Sequence, residues 1–349
     1  MTSRFGIFVL PVVESGSSQD AQQELQSAVD DIRFAEDAGF DAVWVAEHHG
    51  TQYGGVCPSA LLLLAYAGAQ TCRIRLGTAI TILPLHDPVQ LAEEVLLLDH
   101  LTRGRLELGV GSGFLGVDFA TRGISIDSRG DRFRAGLAVL RQALTDQGPA
   151  TPQAVRRLFP PKYGNSSVPI WGAATASREG IAAFADAGMG LMLNPYTSSP
   201  NELAGTIQFF HERVRALKRS GTVARVLIHE HLFVARTERE AYELPRDYLM
   251  KYLQSLRTAS SEVAPPACIS HSTGPKRYEE IFPERVAFGT PDQLIERIGR
   301  WMRRGVTDFA FSIRFGGMST ELARTSASLF CSAVAPRFRG QSAEGGSVA

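Results

Sequence analysis

Cysteine is scarce in this chain. There are four among 349 residues, and Cys57, Cys72, Cys268 and Cys331 lie far apart. They form no CxxC pair and no metal-ligand spacing, which argues against a disulfide framework and a thiolate metal site. Free thiols in a reducing compartment are expected. Net charge is missing too: 36 Lys and Arg balance 36 Asp and Glu. The electrostatic footprint of a nucleic-acid binder is therefore absent. No apolar run approaches the roughly 20 residues that a membrane-spanning helix needs. Met1 to Arg4 leads straight into a short strand with no signal-peptide core, so a cytoplasmic protein is expected. Nor does a GxGxxG motif follow the first strand. The one formal match, Gly111 to Gly116, follows the fourth strand and opens into no clear helix, which disfavours an open dinucleotide-binding sheet.

What the chain has is 44% hydrophobic content, ample for a large core, and a repeated strand–helix alternation. Strands are expected at Arg4–Leu10, from Ala42 into Glu47, Ile74–Leu83, Arg105–Val110, Pro169–Ala173, Gly190–Leu193, Arg225–Ala235 and Val306–Ile313. Helices are expected between them: about Gln19–Ala38, Ser59–Gln70, Asp87 to Gly104, Arg129–Leu144, Ser177 to Gly188, Asn201–Arg219, Glu238–Leu256, from Thr290 to Gly305, and Thr320–Val334. Capping residues and prolines sit at several helix starts, as at Asp87-Pro88. Eight strand–helix units predict a parallel sheet closed into a (β/α)8 TIM barrel. Gly148–Val168 reads as an inserted loop. Thr258–Lys276, after the seventh strand, is rich in Ser and Pro and reads as a lid. One domain is expected over 1–339, with a small polar tail at 340–349 that reads as disordered.

Strand C-termini form the active face of such a barrel. Glu47, His48 and His49 follow the second strand, and His86 and Asp87 the third. Ser112 and Asp118 follow the fourth; Thr175, Ser177 and Arg178 the fifth; Asn194 the sixth. His229, Glu230 and His231 lie on the seventh, and Arg314 follows the eighth. His48 is the leading candidate, because an imidazole titrates near neutrality and can act as a general base. The alternative is a hydrogen-bonded structural histidine. Joint metal ligation by His48 and His49 is disfavoured, since neighbouring strand residues point to opposite faces, and no metal is expected. Ala174-Thr175-Ala176-Ser177-Arg178 joins a strand to a helix start, so amides, hydroxyls and a guanidinium could hold a phosphate there. The alternative is an ordinary helix cap.

These motifs, taken in order, resemble the bacterial luciferase-like flavin-dependent monooxygenases. The resemblance rests on Trp44-Val45-Ala46-Glu47-His48-His49, Arg75-Leu76-Gly77-Thr78-Ala79-Ile80, Leu83-Pro84-Leu85-His86-Asp87-Pro88, Leu98-Asp99, Gly104-Arg105-Leu106 and Gly289-Thr290-Pro291. It covers nearly the whole chain. It implies a barrel that binds reduced FMN supplied by a separate flavin reductase. Oxygen would add to the flavin, and the (hydro)peroxide form would oxidise a small organic substrate. His48 matches the family's catalytic histidine, and Asp118 keeps an acidic position after the fourth-strand loop. Glu47 matches a flavin-site residue. Ala79-Ile80 matches a pair joined by a cis peptide beside the flavin ring. Ala174, Thr175, Ser177 and Arg178 match the phosphate loop, and Ser112 belongs to the flavin-binding turn. The luciferases carry a Cys-Arg pair where this chain has Gly111-Ser112. That removes a phosphate-binding arginine, for which Arg178 or Arg132 is the expected substitute, and a reactive thiol, which argues against light emission. A homodimer packed through helices near the early strands is the family expectation. Two other readings are a deazaflavin-dependent hydride-transfer oxidoreductase on the same barrel and a non-catalytic flavin-binding subunit.

Overall fold

The computed structural model describes residues 3–13, 17–144, 158–164, 167–173, 177–195, 198–217, 224–261 and 277–339. Its strands are β1 (Arg4–Val9), β2 (Ala42–Val45), β3 (Arg75–Thr78), β4 (Thr81–Ile82), β5 (Leu106–Gly111), β6 (Ile170–Ala173), β7 (Gly190–Leu193), β8 (Val226–Val234), β9 (Ala287–Gly289) and β10 (Asp308–Ser312). Neighbours pair in parallel, and β10 pairs with both β1 and β8, which closes the ring. β4 continues the third strand, and β9 adds only to the far end of β8. The expected eight-stranded (β/α)8 barrel is therefore present.

The barrel helices are α1 (Ser18–Ala38), α2 (Ala60–Gly68), α3 (Pro88–Thr102), α4 (Gly116–Ala120), α5 (Arg129–Leu144), α6 (Arg178–Asp186) and α7 (Pro200–Ala216). They continue with α8 (Glu238–Glu243), α9 (Arg246–Ser261), α10 (Tyr278–Ile281), α11 (Pro291–Arg303), α12 (Thr320–Leu329) and α13 (Pro336–Arg339). Their starts follow the capping chemistry of the sequence. The side chains of Ser59, Asp87, Ser177 and Thr290 each accept a backbone N–H from the first turn of α2, α3, α6 and α11. Each satisfies a donor that a helix N-terminus leaves open.

Strand alternation sorts side chains between the helices and the lumen, and the lumen fills in layers. At the bottom, Arg4 donates to both Glu107 oxygens at 2.6 and 3.0 Å and to Asp308 at 2.8 Å. Arg75 also pairs with Glu107, and Arg225 with Asp308. Burial alone would raise the Glu107 carboxyl, but the charge and hydrogen bonds of Arg4 hold it below its ordinary range. Above this layer the Trp44 and Trp171 indoles meet edge to face, 5.4 Å between centroids. Each lies over the glycine opposite it on the next strand, Gly77 and Gly190. A Cβ on either glycine would come within 2.2 or 2.3 Å of the indole. The upper lumen is left open.

Two elements depart from expectation. The third strand is interrupted between Thr78 and Thr81, where the Ala79–Ile80 peptide is cis. The pairing to β5 shifts by one residue across the break, from Gly77↔Glu107 to Thr81↔Val110. The helix expected to end at Leu256 runs on to Ser261. Its apolar face continues through Tyr252, Leu253 and Ala259, although Ser and Thr crowd the exposed side. Thr258–Ser261 is thus helix rather than lid, and 262–276 lies outside the described residues. Most of the Gly148–Val168 insertion and the 340–349 tail also lie outside them. Among the described residues no helix is long and apolar enough to cross a membrane.

Candidate active site

β2 ends on Val45, and the three residues after Ala46 diverge. His48 lines a cavity at the mouth of the barrel. Its Nδ1 lies 3.1 Å from Asp118 Oδ2 on α4. The other oxygen of Asp118 accepts the backbone N–H of His49 at 2.7 Å. Asp118 is fully buried and ties the β2 loop to α4. With a carboxylate opposite it, Nδ1 is the ring nitrogen that donates. Nε2 is then the ring nitrogen left for a ligand in the cavity that His48 lines.

Glu47 is the hub of a second set. One of its oxygens lies 2.8 Å from His86 Nε2 and 3.2 Å from His49 Nε2, and accepts the Ile82 N–H at 3.3 Å. Burial pushes this carboxyl up, but the His49 and His86 hydrogen bonds and charges outweigh it and hold it below the ordinary carboxylate range. Glu47 therefore locks the broken third strand against β2. His49 turns away from His48, towards Glu47 and Arg122. Among the described residues no group of three His, Cys, Asp or Glu could hold a metal ion.

The cavity measures about 190 Å³. Ala46, Ala79 and Ala173 give it small apolar walls, and Ile80, Phe114 and Met192 larger ones. Its polar groups include Glu47, His48, Asp118, Asn194 and His229. His229 stacks on Phe8 at 4.0 Å, and its Nε2 meets Ser312 Oγ at 2.8 Å. Burial lowers the His229 pKa to about 3, so the ring is neutral.

The structure thus gathers His48, Asp118, Glu47, Ala79 and Ile80 around one cavity. Ser112 is not in its lining, whereas Gly113 and Phe114 are. On β5 the inward positions are Glu107, Gly109 and Gly111, so Ser112 falls on the other parity. Ser177 and Arg178 lie at the rim, at the head of α6. The Ser177 hydroxyl accepts the Gly180 N–H, and the exposed Arg178 guanidinium stacks over Phe209 at 5.3 Å. Ala174 and Thr175 lie outside the described residues. Glu230 faces out of the barrel, where Arg297 and Trp301 of α11 hold it. Arg314 is engaged with Glu24 and Asp31 of α1. Cys57 is buried near Glu47, and burial pushes its thiol up to about 12.

The model of the luciferase-like monooxygenase family matches residues 3–308. The chain belongs to that family. An uncharacterised protein of Sinorhizobium fredii, y4vJ, is 36% identical over 51% of each chain, so this chain spans about half the length of that relative. The oxygenase component of the flavin-dependent trigonelline monooxygenase of Acinetobacter baylyi is 23% identical over 96% of this chain and 95% of its own. Among solved structures, the monooxygenase RslO1 of Streptomyces bottropensis aligns with a TM-score of 0.85 at 23% identity, covering 96% of this chain and 99% of that one. Two further structures share the fold at 18% identity. They are the oxygenating constituent of 3,6-diketocamphane monooxygenase of Pseudomonas putida in complex with FMN (TM-score 0.73, 97% and 99% covered) and an F420-dependent secondary alcohol dehydrogenase (TM-score 0.71, 97% and 100% covered).

Sequence reasoning missed Tyr53 and Tyr252, which meet in the wall of the cavity with their hydroxyls 2.7 Å apart. Tyr252 comes from α9, far along the chain, and no local pattern joins the two. His229 was visible as a polar residue within an apolar strand, and its inward parity was the available signal.

Proposed function

We propose that this family member is the oxygenase component of a two-component flavin-dependent monooxygenase. It would take reduced FMN from a separate flavin reductase, use O2, and oxidise a small organic substrate in the cytoplasm. The observation that carries this reading is the buried His48–Asp118 pair set against a small, mostly apolar cavity. The alanine walls of that cavity suit a planar ring, since no side chain longer than a methyl projects from those positions. Ser177 and Arg178, at the start of α6, would hold the cofactor phosphate. When bound, reduced flavin supplies two electrons to dioxygen, so that one oxygen atom goes to substrate and the other to water.

The protein's part is positioning, proton handling and exclusion of water. Asp118 orients His48 so that Nε2 can take a proton from the reacting group. The hydrophobic walls keep water from it. Glu47 holds the Ala79–Ile80 segment in place beside the cavity. A homodimer is part of this reading.

Anaerobic titration with reduced FMN and with a reduced deazaflavin cofactor tests it. Tighter binding of reduced FMN is expected. Preferential binding of the deazaflavin would overturn the oxygenase in favour of hydride transfer, the reading that the F420-dependent neighbour favours. His48→Ala should leave the affinity for reduced FMN nearly unchanged while altering the oxygen reaction of the bound flavin by about 100-fold or more.

A further inference from the structure

A second, larger cavity of about 700 Å³ lies beside the first. Both are lined by Leu10, Tyr53 and Tyr252. Between them stands the Tyr53–Tyr252 hydrogen bond. The Tyr53 ring is 5.4 Å from His48 on one side, and the Tyr252 ring packs edge-on against His231 at 4.4 Å. The His229–Ser312 bond is a second link across the same wall, since His229 lines the small cavity and Ser312 the large one.

The two spaces differ in chemistry. The small one is mainly apolar, whereas the large one has glutamines from three separate elements in its lining. They are Gln23 on α1, Gln52 in the loop after β2, and Gln254 on α9. The strongest cation in its wall, Arg314, is already neutralised. Its Nε donates to Asp31 at 2.7 Å, and its two terminal nitrogens donate to Glu24 at 2.9 and 3.0 Å. Asp20 and Lys251 add one charge of each sign. Such a wall selects neither an anion nor a cation, but it can make many neutral hydrogen bonds. Its volume lies within the roughly 300–1,000 Å³ of organic-ligand sites.

We propose that the large cavity is the substrate chamber, and that the Tyr53–Tyr252 pair is the door between it and His48. The substrate class is a neutral organic molecule in two parts. A hydroxyl-, carbonyl- or amide-rich body rests against the glutamines, and an apolar edge is presented through the door to the reacting centre. This deepens the oxygenase reading and rests on it. The tyrosine hydroxyls satisfy each other while the door is shut, and a substrate that offers its own hydrogen-bonding group at the boundary can replace that bond.

Two measurements test the proposal. In the first, n-hexyl β-glucoside, n-hexyl sulfate, n-hexylammonium and 1-hexanol are titrated calorimetrically into the full-length protein without cofactor. The glucoside should bind about 10-fold more tightly than the other three, which one or two extra net hydrogen bonds supply. The double variant Gln23→Leu/Gln254→Leu should abolish that advantage without changing the affinity for FMN. Equal binding of all four probes, or an unchanged glucoside affinity in the variant, overturns the chamber. In the second, acrylamide quenches the fluorescence of bound oxidised FMN. Tyr252→Ala should raise the quenching constant severalfold and Tyr252→Phe less, and equal quenching in all three proteins overturns the door. If neither oxidised nor reduced FMN binds, the oxygenase reading and the door fall together, while the calorimetry still decides the chamber.

Discussion

Burial keeps two imidazoles of β8 uncharged. His229 is lowered to about 3 by burial, and His231 lies well below its ordinary value through burial and the nearby His229. The consequence for stability has a definite sign. An unfolded His229 takes up its proton near pH 6.5, whereas the folded one stays neutral until about pH 3. Between those values the unfolded state binds more protons, so stability falls as pH falls. The slope is about 1.4 kcal/mol per pH unit for each such group. His229→Gln removes one group from this balance. Between pH 7 and pH 5, urea unfolding should show the parent losing about 2 kcal/mol more stability than the variant. Equal losses would mean that His229 charges inside the fold. Neutrality also suits the site, because an uncharged ring beside the cavity leaves the apolar environment around His48 undisturbed.

At the scale of elements, the critical contact is between β5 and the broken third strand. Thr78 Oγ1 accepts the Gly109 N–H at 2.9 Å and donates to the Gly109 carbonyl at 2.7 Å. A Cβ on Gly109 would sit 2.1 Å from the Thr78 carbonyl oxygen and 3.1 Å from Met192 Sδ. The first of these is backbone and cannot swing aside, so β3 and β5 would have to part. Gly109→Ala should therefore cost about 3 kcal/mol or more, at the upper end for overpacked cores. Gly205, exposed within α7, is the counter-case, because an added Cβ there meets nothing within 4 Å. Gly205→Ala should stabilise the protein by about 0.5–1 kcal/mol, as expected of a mid-helix glycine. Denaturant midpoints moving in opposite directions would support both assignments, and an unmoved midpoint for Gly109→Ala would refute the first.

The elements also show what the sequence made legible. Apolar strand runs and capping side chains report their own surroundings, so the eight barrel strands and most helix starts could be read directly. The break at Ala79–Ile80 was marked only by its likeness to a family motif, because Ile74–Leu83 looks like one strand when judged by hydrophobicity alone. β9 has just three residues, Ala287–Gly289, too few for a periodic signal. α9 hid its last turn under serines and threonines that face outward. In the site, Glu47, His48 and Asp118 could be read because polar groups that follow apolar strands have few other reasons to be there. Ser112 follows an apolar strand as well, but strand parity, which a position at a strand end does not report, leaves it out of the cavity lining. Tyr53 and Tyr252 are 199 positions apart, and only the closed ring brings them together.

For the whole molecule, the question is what covers the outside of α2 and α3. Leu62 and Tyr66 on α2 are 74% and 59% exposed, and Leu97 and Leu101 on α3 are 51% and 64% exposed. Within each helix the pair is spaced i, i+4, which places both residues on one face. The two helices pack side by side, so the four side chains belong to neighbouring surfaces. Soluble monomers seldom leave such contiguous apolar area in water. These helices follow the second and third barrel strands, where the family resemblance leads one to expect a partner subunit. A two-fold arrangement would set each α2–α3 face against its copy, with every leucine counted twice in the interface. Leu62→Glu/Leu101→Glu would then place four carboxylates in one apolar contact. Desolvating them costs more than the lost leucine burial alone. Light scattering on the eluted protein should give the mass of two chains for the parent and of one chain for the double variant. The variant should keep a normal far-ultraviolet spectrum, since both side chains are exposed within the protomer. A parent that elutes as one chain at micromolar concentration would remove the dimer and leave this face to some other partner. A double variant that stays dimeric would move the interface elsewhere on the barrel.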